Sequence, residues 1–241
     1  DSDINAGLAS ASNDQQGYGH GTHVTGIAAG DGSANGKNKG IAPKADIIEV
    51  AFDFSNTTNT TILDAVDYIL NKAQQLGKPC VINASLGSYD GSHDGFDLES
   101  QMIDNMLSQQ PGRAMVAAAG NAGNIPFHLG YNATSDTSFT WVRYNPAYPF
   151  TYLQLWGDTA DFPGIRFAVG ADANLIAPSF RGSTALQDFS YFSGINHADT
   201  IFNNSGDRIA IVESFGSIQG PACLIEMIIR PDSTTYNWRL M

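Results

Sequence analysis

In the first half of the chain, stretches with apolar residues at helical spacing alternate with short apolar runs typical of strands. Apolar residues at helical spacing predict a helix that begins near His20, a second that begins at Thr61 and a third that begins near Asp97. Short apolar runs with β character occupy residues 41–52, 79–87 and 114–119. Strands that alternate with helices indicate parallel pairing with right-handed crossovers. We therefore expect residues 1–128 to form an α/β domain with a partial parallel sheet and flanking helices.

The same spacing predicts which face of each helix is buried. The helix at His20 is expected to bury Val24, Ile27 and Ala28. The helix at Thr61 is expected to end at Gly77 and to bury the apolar stripe Ile62, Val66, Ile69, Ala73 and Leu76. The helix near Asp97 is expected to place Leu98, Met102 and Met106 in the core.

Beyond about His128 the helical period disappears. Short β-rich runs near residues 138–144, 150–156, 165–169, 209–211, 224–229 and 236–240 are separated by turn pairs such as Gly157-Asp158 and Pro163-Gly164. Several short strands with such turns are typical of an antiparallel sandwich or jelly roll. We expect a second, β-rich domain over residues 129–241.

Composition narrows the classes of partner. Twenty-four acidic residues against twelve basic ones give a net charge of −12. Nucleic acid and anionic membranes are excluded as favoured partners, because both select for positive charge. Few lysines and many Asn, Ser, Thr and Gly residues are typical of an extracellular or cell-surface protein. Cys80 and Cys223 lie within apolar stretches, and we expect two free thiols rather than a disulfide.

The candidate chemistry begins with His20. Residues 17–30 surround it with glycines at the start of a predicted helix, so another backbone can approach the ring closely. A helix N-terminus disfavours imidazolium, and a neutral, fixed imidazole is suited to act as a general base. Pairing with His23 at a metal is the alternative. A zinc-hydrolase helix needs two histidines four residues apart with a glutamate after the first. Here the spacing is three residues and a glycine follows His20, so we assign His23 to packing.

Two predicted strands end in small and polar residues. Ser85, Leu86 and Gly87 close one strand, and Asn121 follows Gly120 at the end of the next. In open α/β sheets the sites lie at the carboxyl ends of the strands. We expect these two strand ends to share a site.

In order and rough spacing, His20 and these two strand ends resemble the motifs of subtilisin-like serine proteases. The resemblance covers about the first 128 residues. It implies that His20 is the base of a Ser-His-Asp triad and that Asn121 donates to the oxyanion. It also implies that Ser85, Leu86 and Gly87 bind the backbone of a polypeptide substrate. Residues 129–241 resemble a domain inserted before the nucleophilic serine, as in the Csp-type germination proteases.

The triad aspartate and serine lack clear counterparts. Asp1, Asp3 and Asp14 have no buried strand before them, although the family's aspartate ends such a strand. The family's Gly-Thr-Ser string has its nearest match at residues 182–184, with Ser and Thr transposed, and we expect Ser183 to be a loop hydroxyl. The resemblance therefore implies an internal piece of a serine endopeptidase that is inactive alone. Exposed apolar edges in its catalytic half would favour self-association.

Other interpretations stay open. A non-catalytic, protease-like scaffold would use the β-rich domain to bind a peptide, a glycan or a protein partner. No cofactor is expected; Asp90, Asp94 and Asp97 offer a structural calcium site, but a solvated loop is the favoured interpretation. His128 follows Asn121 closely enough to line a cleft, and we favour an ordinary loop histidine there.

Overall fold

A computed structural model describes residues 19–34, 36–51, 61–133, 137–175 and 179–241. These residues fall into two compact units. The first comprises the chain up to Ser88 together with Met102–Asn121, and the second comprises Tyr89–Gln101 and Ala122–Met241. The predicted domain boundary at residue 128 stays a prediction, because compactness alone does not show that either part folds by itself.

The first unit has the predicted α/β pattern. Its elements in chain order are helix α1 (His20–Ala29), helix α2 (Thr61–Gln75), strand β1 (Cys80–Ala84), helix α3 (Leu98–Ser108), which begins in the second unit, and strand β2 (Arg113–Ala117). Strands β1 and β2 pair in parallel, with Cys80 opposite Arg113 and Ala84 opposite Ala117. The predicted parallel sheet is confirmed.

Helix α2 covers one face of this sheet. Its buried residues are Leu63, Val66, Leu70 and Ala73, and Val66 and Leu70 pack with Ile82 of β1. The predicted stripe was partly wrong, since Leu76 is exposed and the buried face includes Leu63 and Leu70 instead. The helix ends at Gly77 as predicted, with Gly77 N donating to Gln74 O and Lys78 N to Ala73 O. This pair of bonds is the Schellman arrangement of a helix C-terminus.

Three expectations for the first half of the chain are wrong. Residues 41–51 form turns and irregular structure rather than a strand, and Phe52 lies outside the described residues. The amides of Ile41 and Ala42 donate to the carbonyls of Ile27 and Ala28 at the end of α1, so they are not available to a sheet. Ile27 is largely exposed, and Leu98 and Met102 on α3 are exposed as well.

The second unit is antiparallel and β-rich. Its strands are β3 (Thr140–Val142), β4 (Thr151–Asp158), β5 (Arg166–Phe167), β6 (Val169–Asp172), β7 (Phe180–Ser183), β8 (Gln187–Asp188), β9 (His197–Phe202), β10 (Arg208–Gln219), β11 (Ala222–Pro231) and β12 (Asn237–Leu240), with a short helix α4 (Phe189–Phe192) before β9. One sheet has the order β4-β11-β10-β9, the other has the order β3-β12-β6-β7, and β5 pairs with β8. The fold class predicted from the sequence is confirmed.

The two four-stranded sheets share one core. It combines Val169, Ala171 and Trp238 from one sheet with residues such as Ile201, Val212 and Ile225 from the other. Trp238 is fully buried, and its Nε1 donates to Thr151 Oγ1 at 3.1 Å, which joins β12 of one sheet to β4 of the other. Inner faces of two sheets that enclose one core define a sandwich.

Two strand predictions in this unit needed correction. The alternating run over residues 165–169 is divided between β5 and β6, which belong to different sheets. A register shift between Arg208 and Ala210 buries both Ile209 and Ala210, so that Val212 rather than Ile211 points into the core. A bulge adds one residue to a strand and so reverses the inward pattern beyond it.

A buried ion pair lies within the sheet that contains β6 and β12. Asp172 is fully buried, and Arg239 donates to its two oxygens from Nε at 2.8 Å and Nη2 at 2.7 Å. Trp141 Nε1 also donates to Asp172, at 3.2 Å, and the guanidinium lies 4.2 Å from the centroid of the Phe139 ring. The charges are therefore paired and hydrogen-bonded, which buried charges require.

Candidate active site

The carboxyl ends of β1 and β2 lie side by side. Ala84 and Ala117 form the last pair of the ladder, and Ala118 N donates to Ala84 O at 3.1 Å just beyond it. Ser85 and Ala118 therefore leave the sheet at the same edge. The structure brings the segment that starts at Ser85 and the segment that leads to Asn121 together, as the parallel pairing predicted.

The segment after β1 is open on its backbone. Ser85 and Leu86 are half-buried and Gly87 is exposed. The Ser85 hydroxyl exchanges hydrogen bonds with the Asn83 side chain, at 3.2 and 3.5 Å. Within the described part of the chain, Ser85, Leu86 and Gly87 make no hydrogen bond to another backbone group. An extended peptide could therefore add to this segment by main-chain pairing.

The turn after β2 presents Asn121. Gly120 has φ of +95°, a conformation that favours glycine, and it redirects the chain immediately before Asn121. The Asn121 side chain is exposed at this edge. A side-chain amide in such a position can donate a hydrogen bond to a carbonyl oxygen on which negative charge develops.

His20 occupies the predicted place at the first residue of α1. Gly19 before it adopts φ of +60° and accepts the first bond of the helix from His23 N at 2.9 Å. The His20 side chain is exposed. Among the described residues, no hydrogen bond or ring contact joins the His20 ring to the segments at Ser85 and Asn121. The structure thus groups the two strand ends, and the role of His20 beside them stays a prediction.

The remaining candidates are those for the triad aspartate and serine. Asp1, Asp3 and Asp14 lie outside the described residues. Ser183 ends strand β7 opposite Gly170, so the expectation of a loop was wrong, although a helix N-terminus is equally absent at that position.

Two of the three acidic positions considered for calcium, Asp94 and Asp97, lie just before α3. Asp97 caps this helix, since its Oδ1 accepts from Ser100 N at 2.9 Å and its Oδ2 accepts from Ser100 Oγ at 2.8 Å. Asp94 Oδ1 accepts from Phe96 N at 3.0 Å. Asp97 and Asp94 thus bind protein donors, and a calcium ion at this position stays an untested expectation.

The fold and these strand ends define the class of protein. The model of the Subtilase family, peptidase S8, matches residues 4–206, and the chain belongs to this family. Subtilisin from Bacillus sp. (strain TA39) is 36% identical over 117 residues, which are 47% of this chain and 26% of that protein. Thermitase from Thermoactinomyces vulgaris is 37% identical over 112 residues, 46% of this chain and 36% of that protein.

A further relative and a solved structure extend the comparison. The PI-type proteinase of Lactococcus lactis subsp. cremoris is 32% identical over 108 residues, which are 43% of this chain and 6% of that protein. The fold is similar to that of the CspB protease of Clostridium perfringens, with a TM-score of 0.65 and 24% identity; the match covers 92% of this chain and 46% of that one. The chain therefore spans less than half the length of each of these proteins. In the described ranges, every helix is too short or too polar to cross a bilayer.

Proposed function

We propose that this chain is the part of an extracellular subtilisin-like serine endopeptidase that supplies the general base, the substrate-binding strand and the oxyanion donor. The observation that carries the proposal is the shared edge at which β1 and β2 end, because it groups Ser85–Gly87 with the segment that leads to Asn121. Membership of the subtilase family supports the reaction class. The acidic, lysine-poor composition supports the extracellular location.

The proposed reaction is acyl transfer. A serine hydroxyl attacks the carbonyl of the scissile peptide bond while His20 accepts its proton, and His20 later gives that proton to the leaving amine. The Asn121 amide donates to the oxyanion of the tetrahedral intermediate. Ser85, Leu86 and Gly87 hold the extended substrate through main-chain bonds, which give affinity without a strong demand on substrate sequence.

The nucleophilic serine and the orienting aspartate are assigned to parts of the protease other than this chain. We therefore propose that the chain alone does not hydrolyse peptides. Treatment of the purified chain with a fluorophosphonate probe should give no covalent label. Labelling at Ser183 would contradict this proposal and would place the nucleophile within the chain.

The oxyanion role is tested in a full-length protease that contains this segment. Asn121→Leu should lower kcat by about a hundred- to a thousandfold with little change in KM, a range known from the corresponding donor of subtilisin itself. The matched control is Asn124→Leu, the same change at an exposed amide in the same segment, which should leave kcat unchanged. A rise in KM at constant kcat would remove Asn121 from this role. No activity in the unmodified protease would favour the non-catalytic scaffold.

A further inference from the structure

Two segments of the second unit meet through aromatic side chains. Tyr89 belongs to the segment Tyr89–Gln101, and Phe127 belongs to the segment that begins at Ala122. Their ring centroids lie 4.2 Å apart. Each segment also carries a histidine near this contact, and the ring centroids of His93 and His128 lie 4.8 Å apart, with the ring planes 40° from each other. Both histidines are exposed to solvent.

One hydrogen bond favours a single tautomer of the His93 ring. Its Nε2 lies 3.1 Å from the backbone carbonyl oxygen of Tyr89. A carbonyl oxygen only accepts, so Nε2 carries the hydrogen and the lone pair of the neutral ring is on Nδ1. Histidines that bind metals almost always donate their other ring N–H to a carbonyl or carboxylate in this manner. The Nδ1 atom of His93 is thereby prepared to act as a ligand.

The loop around His93 is anchored on both sides. Ser92 is buried, and its Oγ donates to Asp97 Oδ2 at 3.2 Å and accepts from Asp97 N at 3.0 Å. Gly91 N donates to Gln154 Oε1 of β4 at 2.9 Å. These bonds hold His93 at a φ of +60°, which residues other than glycine rarely adopt. The backbone position of His93 is therefore set by the fold before any ligand binds.

The separation of the two rings fits a shared metal ion. An ion about 2.0–2.1 Å from one nitrogen of each ring, at a tetrahedral angle, separates the ring centroids by about 5 Å. The observed 4.8 Å is close to this separation. The net charge of −12 favours the approach of cations. We propose that His93 and His128 bind a divalent transition-metal ion such as Zn²⁺, Ni²⁺ or Cu²⁺.

The donor set decides which ions bind and how tightly. Imidazole nitrogen suits Zn²⁺, Ni²⁺ and Cu²⁺, whereas Ca²⁺ and Mg²⁺ require oxygen ligands. Among the described residues, no group of three or more His, Cys, Asp or Glu side chains is placed to hold a metal ion. Two histidines would therefore share the ion with water. Such a site binds more weakly than a closed structural zinc site, and it keeps open positions for an external ligand.

A bound ion would link the segment that carries His93 to the segment that carries His128. His93 follows the proposed substrate-binding residues Ser85–Gly87, and His128 follows Asn121. The metal would cross-link the two segments and lower the rate at which either one opens. The proposal itself rests only on the His93–His128 geometry and does not require the chain to be a protease.

The test is a calorimetric titration of the intact chain with ZnCl₂ and with CuCl₂ at about pH 7.5, where imidazole is largely neutral. One equivalent should bind, and electron paramagnetic resonance of the Cu²⁺ complex should show nitrogen coupling. His93→Gln and His128→Gln should each weaken binding at least about tenfold, because loss of a ligand should cost at least as much as loss of an outer-shell partner. CaCl₂ should give no heat of binding at this site.

The matched control is His23→Gln, which removes an exposed histidine on α1 and the only close sequence partner of His20. It should leave the affinity unchanged. Thermal unfolding of each variant checks that the fold is retained, which we expect because both His93 and His128 are exposed. No binding by the unmodified chain, unchanged affinity in both His93 and His128 variants, or loss of binding in the His23 variant would each overturn the proposal.

Discussion

The sheets of the two units are covered very differently. In the first unit, α2 packs on the face of the parallel sheet that carries Ile82, while the opposite face leaves Val81 72% and Val116 58% exposed. In the second unit, the inner faces of two antiparallel sheets enclose Trp238 completely. Parallel sheets normally have both faces covered. An apolar pattern on a strand therefore predicts a surface that needs to be covered, whether or not the described residues cover it.

The two units also differ in where their ion pairs lie. The second unit contains an Asp172–Arg239 ion pair whose buried carboxylate is hydrogen-bonded, as buried charges require. In the first unit, the ion pair between Lys78 and Asp46 lies on the surface and is screened by water. Neither ion pair decides stability, because desolvation offsets the attraction between buried charges and water screens exposed ones. We expect the second unit to be the more stable of the two because its buried apolar core is much larger.

The largest effect is expected when the two predicted domains are separated. Residues 129–241 contain the whole shared core of the sandwich, so this piece should fold alone. Residues 1–128 should be poorly folded or self-associated, because one face of their sheet is exposed. Amide dispersion in NMR spectra, thermal unfolding and size-exclusion chromatography measure these outcomes. A folded 1–128 beside an unfolded 129–241 would contradict the division.

The sequence predicted element types well wherever a periodic apolar run was long. Helices α2 and α3 and strands β4 and β11 lie close to their predicted positions, whereas β10 extends well beyond the predicted run over residues 209–211. Strand β9 was missed because His197 and Asp199 interrupt its apolar pattern; their inward-facing side chains contact Tyr191, which stacks on His197 and donates to Asp199. Strand β7 was missed because its four residues contain only one large apolar side chain.

The candidate site was predictable only in part, because sequence order gives spacing but not proximity. Parallel pairing of β1 and β2 was enough to group Ser85–Gly87 with the turn at Asn121. The position of His20 depends on how α1 packs, and no local pattern fixes that. The proximity of His93 and His128 follows from the Tyr89–Phe127 contact between distant segments, for which the sequence holds no signal.

A second prediction compares one buried and one exposed side chain at strand positions. Trp238→Ala should lower the free energy of unfolding of the second unit by about 3–5 kcal/mol, because it leaves a cavity and removes the bond to Thr151. Val81→Ala in the first unit should cost about 0.5 kcal/mol or less, since the side chain is already exposed. Urea unfolding measures both. A loss for Val81→Ala as large as that for Trp238→Ala would show that the open face is covered in solution.

The free cysteines let the two units be observed separately. Cys80 is half-buried in the first unit and Cys223 is buried in the second. Desolvation raises the pKa of both thiols, with a further increase at Cys223 from the Asp158 charge. Both should react slowly while folded, because the thiolate is the reactive form. Trp238→Ala should accelerate labelling of Cys223 in moderate urea, while Phe202→Ala, an exposed position on β9 that is not paired with β11, is the matched control and should not.

The smallest effect is expected at the cap of α3. Desolvation would raise the pKa of Asp97, but hydrogen bonds from Ser100 and Ser92 outweigh it and hold that pKa below its usual range. The contribution to stability is therefore fully present above the ordinary carboxyl pKa, near about 4, and is lost as pH falls through the lower folded-state value. Asp97→Ala should cost about 0.5–2 kcal/mol at neutral pH and progressively less below about pH 4.

Asp97→Ala should also affect the thiols of the two units differently. Met106 and Leu107 near the end of α3 pack against the core of the first unit beside Cys80. Loosening α3 at its cap should therefore accelerate labelling of Cys80 and leave Cys223 unchanged. The control is Asp104→Ala, an exposed carboxylate within the same helix, which should alter neither thiol. Faster labelling of Cys223 after Asp97→Ala would mean that the cap supports the sandwich, since Asp97 itself belongs to the second unit.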